Sequence, residues 1–413
     1  MQALFGLPVL LALAFAFNRD ASKLRWPLLL AGLLAQGTLA LLLLRVPAVS
    51  DALLALNELV LLIERATLAG SSFMFGYLGG GELPFNAENP SQLFIFAFRA
   101  LPQVLMFSVL VAVFWHLRVL PLIVGLLGKL LQRLLGLSGA LATGAGASLM
   151  LGMIEAPIVV RAYLARMPPH ELFALMTCGM ATVAGTVMGL YALILGSTQP
   201  GALGHVISAS LLNVIGAILV SHLMHPGTTE VDAADLAGDG LRYDGMMDAI
   251  NQGTADGLKI AVSVGATILV FVSLVALINE FLGLVELAGE PLSLQRLLGW
   301  LFAPLAFLIG LPWAEAEIGG SLLGTKVIIN ELLAYIELAA VPAAELGERS
   351  RLILVYAICG FANFSSLGIL FAGLLTLIPE RRALVLRLAP MAVVSGMLTN
   401  LVTGCWVAIV TSF

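Results

Sequence analysis

The chain is dominated by long apolar runs that contain no Asp, Glu, Lys or Arg. Six runs are each long enough to cross a hydrocarbon core of about 30 Å as a helix. They cover residues 1–17, 26–44, 100–117, 260–279, 352–379 and 388–413, and a seventh run, 172–226, has room for two helices. Only helices or closed barrels satisfy their backbone groups in lipid, and these runs are helical in length and composition. The sequence therefore predicts an all-α polytopic membrane protein.

Composition agrees with this class. Of 413 residues, 60% are hydrophobic and 11% are charged, whereas soluble domains carry about 25% charged residues. No basic segment precedes the first run, so we expect a retained helix rather than a cleaved signal peptide. The basic loop 18–25 is expected in the cytoplasm, with the N-terminus outside. The cysteines, Cys178, Cys359 and Cys405, are odd in number and widely spaced, which indicates neither a disulfide framework nor a zinc site.

Two glutamates, Glu155 and Glu331, lie in apolar segments with similar surroundings. A Gly-rich stretch precedes each one, and a Cys-Gly-X-Ala string follows each, at 178–181 and 359–362. An ionisable group at membrane depth costs at least about 2.5 kcal/mol on insertion scales, so a repeated one indicates a site. Such a carboxylate can accept hydrogen bonds from hydroxyls, coordinate a cation or take a proton. The alternative is a structural role in which the glutamates pair with basic residues such as Arg161 or Lys326.

Each glutamate falls in a segment interrupted by glycines, 120–168 or 297–340. Glycine weakens a continuous helix by up to about 1 kcal/mol relative to alanine. Both segments are therefore predicted as helical hairpins that enter the membrane and return, an arrangement that argues against a simple channel. In the second hairpin we expect Gly310-Leu-Pro312-Trp313 and Gly319-Gly320 near the tip.

The apolar run 352–379 contains the polar string Asn363-Phe364-Ser365-Ser366. Helical spacing puts Asn363 and Ser366 on one face, where they can bind a solute or hydrogen-bond to a neighbouring helix. The equivalent stretch of the first repeat, 182–186, has small residues. These permit either close helix packing or a broken helix whose carbonyls can bind a cation.

These patterns divide the chain into seven segments. They are helices 1 and 2 at 1–45, an interfacial helix and loop at 46–96, helix 3 at 97–119, a first repeat at 120–224, an acidic loop at 225–258, helix 6 at 259–290 and a second repeat at 291–413. The acidic loop is expected to be solvated with a short surface helix; a regulatory or ion-attracting role is the alternative.

His222 and His225 have a spacing that can bind metal but lack a third ligand nearby. Nucleotide-binding and hydrolase motifs are absent in a meaningful context, so the sequence indicates neither an enzyme nor a cofactor, and no nucleic-acid partner.

Three strings make the sequence resemble the concentrative nucleoside transporter family. They are residues 152–164, Gly324-Thr-Lys-Val-Ile-Ile-Asn-Glu331-Leu-Leu-Ala-Tyr335 and Cys359-Gly-Phe-Ala-Asn-Phe-Ser-Ser-Leu-Gly-Ile369, and the resemblance runs from Phe73-Met-Phe-Gly76 to the final helix. It implies a homotrimer in a bacterial inner membrane. Each protomer would have eight transmembrane helices and two re-entrant hairpins in an inverted-type repeat. The implied activity is cation-driven nucleoside import, by an elevator motion of a transport domain past a scaffold of helices 3 and 6.

The resemblance also implies which residues bind the nucleoside. Glu331, Asn363 and Ser366 would hold the ribose hydroxyls, while Phe361 and Val187 would line the pocket. The purine or pyrimidine preference does not follow from these residues.

The surroundings of Glu155, which the resemblance also implies to face the nucleoside, depart from the family pattern. Members usually have Gln-Thr or Gln-Ser just before this glutamate, and those side chains contact the base. Here Met153 and Ile154 stand at these positions and offer neither an amide nor a hydroxyl. Base recognition is therefore more apolar, or the substrate is a different ribosylated or apolar-headed solute.

A second departure concerns the coupling ion. Sodium-coupled members resemble one another in an asparagine seven residues before the first glutamate and a serine in the following helix. Here Ser148 and Thr182 occupy these positions, with neighbouring carbonyls from Leu151 and Val183. Hydroxyls can still ligate Na+, but Ser148 is similar to what proton-driven bacterial members carry. The resemblance thus favours H+ over Na+, with Glu155 as the proton carrier.

Overall fold

The computed structural model describes residues 2–18, 20–85, 95–196, 198–228, 243–287 and 289–412. These residues are mostly helical, as the apolar runs predict. The helices are α1 (Gln2–Ala16), α2 (Trp26–Arg45), α3 (Pro47–Phe75), α4 (Phe96–Arg99), α5 (Leu101–His116), α6 (Val119–Leu135), α7 (Gly139–Ala147), α8 (Glu155–Val159), α9 (Arg161–Leu164), α10 (Pro169–Ala181), α11 (Gly185–Leu195), α12 (Ala202–Met224), α13 (Met246–Leu282), α14 (Leu294–Leu308), α15 (Trp313–Ile328), α16 (Glu331–Ala340), α17 (Glu348–Ile358), α18 (Phe364–Leu377) and α19 (Arg382–Val410). The strands β1 (Glu286–Leu287) and β2 (Glu290–Pro291) form a small antiparallel hairpin.

Several of these helices can cross a membrane. Among the described residues, six spans are long and apolar enough, and they comprise α2, α4 with α5, α10 with α11, α12, α13, and a span from Pro379 to Val410 that includes α19. The pair α14 and α15 also passes this test together but is bent by 116°. The polytopic helical class is thus confirmed.

Three of these spans form the interior of the protein. In the most apolar window of Pro169–Leu195 and of Pro379–Val410, 78% of the residues are buried, and in Ala202–Met224 the share is 83%. The same share for Met246–Leu282 is only 6%. Polar groups on the interior spans must therefore find their partners within the protein, whereas α13 presents most of its apolar surface outward.

Helix α13 packs against α5 through glycines. A side chain at Gly253 or Gly257 would collide with backbone atoms of Val109 or Leu105. Small residues let two backbones approach closely, which is a main source of helix association in lipid.

The observed bounds of α13 correct two predicted boundaries. Residues 246–258, assigned to the acidic loop, are helical, because the glycine contacts with α5 extend the helix toward its N-terminus. The helix assigned to 259–290 ends instead at Leu282, since the chain turns there into β1. Residues 229–242, which hold several of the acidic side chains, lie outside the described residues.

The segment assigned to an interfacial helix and loop at 46–96 contains one longer helix, α3. It begins with Pro47 at its first position, where the missing N–H of proline costs nothing. It ends at Gly76, whose φ of +59° favours glycine. Residues 86–94 of the predicted loop lie outside the described residues.

In the two glycine-rich segments, only a few of the glycines lie at turns of the chain. In the first, α6 ends at Gly136 with φ +61°, and Ser138 caps α7 by accepting a hydrogen bond from the Leu141 amide at 3.2 Å. Gly146 lies inside α7, where a side chain would crowd the backbone of α6 at Val124. Most of these glycines therefore allow helix packing rather than break helices.

In the second segment the bend between α14 and α15 falls at residues 309–312, and Gly310 has φ +114°. Gly319 and Gly320 were expected near this tip, but they lie within α15. A side chain at Gly320 would collide with the backbone of α14 at Gly299 and Ala303. The bend thus lies at the Gly-Leu-Pro-Trp string, and the glycine pair lies away from it, inside α15.

Two helical paths are interrupted near their middle. The first is broken at residues 182–184 between α10 and α11, and the second at 359–363 between α17 and α18. The two breaks face each other, because the Phe361 amide donates to the Thr182 carbonyl at 3.2 Å. Of the two alternatives for 182–186, the structure shows the broken helix, and the polar string at 363–366 lies at a helix start rather than in mid-helix.

Candidate functional site

Glu331 is the first residue of α16 and is only 4% exposed. Its Oε1 accepts a hydrogen bond of 2.6 Å from the Tyr191 hydroxyl, and its Oε2 accepts one of 2.8 Å from Asn363 Nδ2. The preceding residue, Asn330, caps the helix by accepting from the Leu333 amide at 2.8 Å. A carboxylate at a helix N-terminus is stabilised by the helix dipole, so Glu331 is held in place by both backbone and side chains.

Asn363 is oriented by its position at the start of α18. Its Oδ1 accepts from the Ser366 amide at 2.7 Å and from the Ser365 hydroxyl at 2.8 Å. Since its oxygen is committed to capping, its amino group is directed at Glu331. Asn363 and Ser366 are buried, at 0% and 4% exposure.

The two predicted lining residues lie next to this cluster. Val187 is buried one helical turn before Tyr191 in α11, so both side chains project from the same face of that helix. Phe361 is partly buried and belongs to the same chain break as Asn363. The structure thus brings Glu331 and Asn363 into direct contact. Phe361 and Ser366 are close to Asn363 in the chain, and Val187 lies in α11, the helix that contributes Tyr191.

Glu155 occupies the position in the first repeat that Glu331 has in the second. It too is the first residue of a short helix, α8, but it is partly rather than fully buried. Its carboxylate folds back over Gly152, where any side chain would overlap it. Met153 is buried against Gly179 of α10, and Ile154 lies against Gly373 of α18.

The four predicted ion-coupling positions other than Glu155 gather at the first chain break. The Thr182 hydroxyl has one hydrogen and two carbonyls within hydrogen-bond distance, that of Ser148 at 2.8 Å and that of Cys178 at 2.9 Å. The Ser148 hydroxyl donates to the Gly144 carbonyl at 3.0 Å. Leu151 and Val183 are buried close by in sequence. The break between α10 and α11 is therefore joined to the end of α7 through the Thr182 hydroxyl.

Tyr191 and Asn400 were missed by sequence reasoning, and Lys326 was considered only as a partner of a glutamate. Tyr191 donates to Glu331, although its place in a charge-free run gave a hint, because a tyrosine hydroxyl at membrane depth needs a partner. Lys326 is buried, and its ammonium donates at 2.7 Å to Oδ1 of Asn400, which is itself fully buried. Asn400 is an amide in the charge-free run 388–413, and that isolation was the available signal.

His222 and His225, whose spacing can bind metal, each contact other parts of the protein in the structure. The Arg25 amide donates to Nε2 of His222 at 2.9 Å, and the His225 ring lies beside Phe173 with ring centroids 5.7 Å apart. Within the described ranges, no group of three or more His, Cys, Asp or Glu residues is placed to hold a metal ion.

Comparison with known proteins identifies the family. Sequence profiles described as "Na+ dependent nucleoside transporter" match residues 5–78 with their N-terminal part and 205–408 with their C-terminal part, and one described as "Nucleoside recognition" matches 97–198. Nucleoside permease NupC of Helicobacter pylori is 34% identical over 97% of this chain and 95% of that protein. Sodium/nucleoside cotransporter 1 of Homo sapiens is 29% identical over 98% of this chain and 63% of that protein.

Solved structures agree with these sequence matches. The structure of CNTnw in an inward-facing substrate-bound state superposes with a TM-score of 0.90, at 36% identity, over 100% of this chain and 97% of that one. Its N149L variant in an intermediate state gives a TM-score of 0.91 at 36% identity, over 100% and 98% of the two chains. The chain therefore belongs to the concentrative nucleoside transporter family, whose members are permeases and not enzymes.

Proposed function

We propose that this protein is a secondary active symporter that imports nucleosides across the bacterial inner membrane, driven by a cation gradient. One observation carries the proposal: a buried carboxylate, Glu331, is paired with Asn363 and Tyr191 where two broken helices meet. Discontinuous helices with polar groups near their breaks are how many secondary transporters bind their solutes.

The chemistry of this cluster suits a ribose diol. The Glu331 oxygens can accept hydrogen bonds from vicinal hydroxyls, and the Asn363 amino group can donate one. In the structure these groups hydrogen-bond to each other. A sugar that binds here replaces those bonds with bonds to its hydroxyls, so that no buried polar group is left unpaired. A sugar that lacks a hydroxyl leaves one unpaired, which is the basis of discrimination at such sites. Val187 and Phe361 would form the apolar wall around the base.

For the coupling ion we propose a proton, with Na+ as the alternative. Ser148 carries no amide oxygen for a cation, so this position offers only a hydroxyl oxygen in its place. Glu155 is a partly buried carboxylate within the first repeat, a group that can gain and lose a proton. In the sodium alternative, the oxygens of Ser148 and Thr182 and the carbonyls of Leu151 and Val183 would ligate the ion.

We also propose the homotrimeric elevator arrangement with eight transmembrane helices and two re-entrant hairpins. The paired helices α5 and α13 suit the scaffold, because α13 has one narrow glycine-containing stripe packed and exposes the rest of its apolar surface. The buried spans around α10, α12 and α19, which surround the candidate site, suit the moving domain.

A second candidate is transport of a different ribosylated or apolar-headed solute. The observation that favours it is the apolar pair before Glu155, since Met153 packs on Gly179 and Ile154 on Gly373. Neither side chain offers an amide or a hydroxyl to a base.

Uptake into proteoliposomes tests both candidates. The purified protein is reconstituted, and labelled uridine and adenosine are supplied with an imposed proton gradient, an imposed sodium gradient or neither. The proposal expects accumulation of a nucleoside under one gradient, with the proton gradient the more effective. If neither gradient drives either nucleoside, the proposal fails, and competition by other ribosylated solutes becomes the decisive assay.

A further inference from the structure

We infer that Asn400 is a positioning residue that couples cation binding to nucleoside binding, an inference that rests on the proposed symport. Asn400 lies in α19, outside both repeats' chain breaks, and is 0% exposed. Its Nδ2 donates hydrogen bonds of 2.8 Å to two carbonyls, those of Ala181 and Cys359. One amide group thus holds both breaks together.

The two carbonyls lie next to the two proposed binding groups, one for the cation and one for the nucleoside. Ala181 ends α10 and directly precedes Thr182, which is in the ion-coupling group. Cys359 begins the break that leads to Asn363 in the sugar-binding group. A displacement of either break therefore changes a hydrogen bond of Asn400, and through it the position of the other.

The two chain breaks are tightly packed where they meet at Gly360. Gly360 has φ +155°, and any side chain there would collide with the Ala181 carbonyl and the Asn400 amide. The Phe361 amide donates to the Thr182 carbonyl at 3.2 Å, a second direct link between the breaks. Buried groups packed this closely shift together rather than independently.

Lys326 sets the direction of the Asn400 amide. Its ammonium can only donate, and it donates at 2.7 Å to Oδ1 of Asn400. This contact holds the oxygen toward Lys326 and leaves the amino group facing the two carbonyls. Because Lys326 lies in α15, five residues before Glu331, the second hairpin takes part in the same network.

Asn213 provides a matched control within the same region. It is also a fully buried asparagine, and its Nδ2 donates to the Cys359 carbonyl at 2.8 Å. Its Oδ1 accepts from the Thr403 hydroxyl at 2.6 Å. Of the two chain breaks, the described bonds of Asn213 reach only the one at 359–363, whereas the bonds of Asn400 reach both.

The test is a binding cycle on the full-length protein in lipid nanodiscs, with uridine and adenosine as probes. Nucleoside affinity is measured by calorimetry at saturating and at minimal cation, for protons by pH and for Na+ by concentration. The ratio of the two affinities is the coupling factor, and by linkage the nucleoside must change cation affinity by the same factor. Coupling factors between sites are typically about 5–150-fold.

For Asn400→Leu we expect the coupling factor to fall to near one, while nucleoside still binds at minimal cation. For Asn213→Leu we expect weaker nucleoside binding at both cation levels and a coupling factor like that of the wild type. Asn400→Asp keeps the size and the contact with Lys326 but cannot donate to the carbonyls, so it should also uncouple. It serves as the second variant if the leucine variant does not fold in a thermal-unfolding assay.

The outcomes separate this inference from the proposed function. A folded Asn400 variant that retains the wild-type coupling factor overturns the role of Asn400 and leaves the transporter proposal standing. If Asn213→Leu also loses coupling, the effect comes from general disruption of the packing in this region, and the inference is overturned. A wild-type protein that binds no nucleoside at either cation level overturns the proposed function itself.

Discussion

The hydroxyl of Tyr191 donates a 2.6 Å hydrogen bond to Oε1 of Glu331, across 140 residues of sequence. Both residues are nearly inaccessible, at 2% and 4% exposure. The bond joins α11 of the first repeat to α16 of the second. It leaves Glu331 with a donor on each oxygen and fixes the carboxylate before any solute arrives.

Replacement of Tyr191 by Phe should weaken uridine uptake by raising KM about 10- to 150-fold, since a hydrogen bond to a charged group contributes about 1.5–3 kcal/mol. The ring remains, so its packing against the Tyr335 ring, with centroids 5.1 Å apart, is retained. The matched control is Tyr335→Phe, because Tyr335 is equally buried but donates to the Val355 carbonyl at 2.8 Å. Equal KM values for the two variants would remove Tyr191 from the site.

Replacement of Glu331 by Gln should nearly abolish uridine uptake. The amide that results has one acceptor and one donor where the diol and the Asn363 amino group need two acceptors, so about 3 kcal/mol or more of binding is at risk. Glu345→Gln, an exposed glutamate beyond α16, controls for a general effect of lost charge. Uptake kinetics of reconstituted Glu331→Gln at wild-type level would show that Glu331 does not bind the sugar.

The double change Met153→Gln with Ile154→Thr should lower KM for ordinary nucleosides by about 3- to 10-fold if this region contacts the base, the value of about one neutral hydrogen bond. The same change buries an amide against Gly179, so the thermal unfolding temperature should fall. Uridine and adenosine kinetics, measured beside a melting curve, distinguish the two effects. A lower unfolding temperature with unchanged KM for both nucleosides would place these side chains outside the pocket.

Replacement of Gly257 by Leu should destabilise the protein by about 1–3 kcal/mol, because the new side chain must force α13 away from Leu105 and Ser108 of α5. Gly125→Leu is the control, since Gly125 lies within α6 and has open space around it. Thermal unfolding of the purified variants compares them. Equal unfolding temperatures would contradict close packing of the two helices.

The sequence was informative where a physical constraint is local. Charge-free runs predicted the helices, and the positions of Glu155 and Glu331 marked the two repeats. Asn363 was singled out as a polar residue on a helix face, but the structure makes it a helix cap. Periodicity alone does not reveal that a helix begins there. The boundary of α13 was misplaced for a related reason. Acidic residues suggest a loop, yet Gly253 and Gly257 pack on α5, a tertiary contact that no local pattern reports.

The partners of the buried polar groups were the least accessible to sequence reasoning. Lys326 was considered as a direct partner of Glu331, and the structure directs its hydrogen bond to Asn400 instead. Tyr191 was not considered. Both contacts join segments far apart in sequence, so they depend on how the repeats close on each other.

Proton movement upon nucleoside addition is the sharpest test of proton-coupled symport. Proteoliposomes that contain a pH-sensitive dye are prepared without any imposed gradient, and uridine is added outside. The account predicts that the lumen acidifies as uridine enters, and that Glu155→Gln abolishes the acidification. Uridine entry with no movement of protons or sodium would contradict symport, and acidification that persists in Glu155→Gln would contradict the role of Glu155.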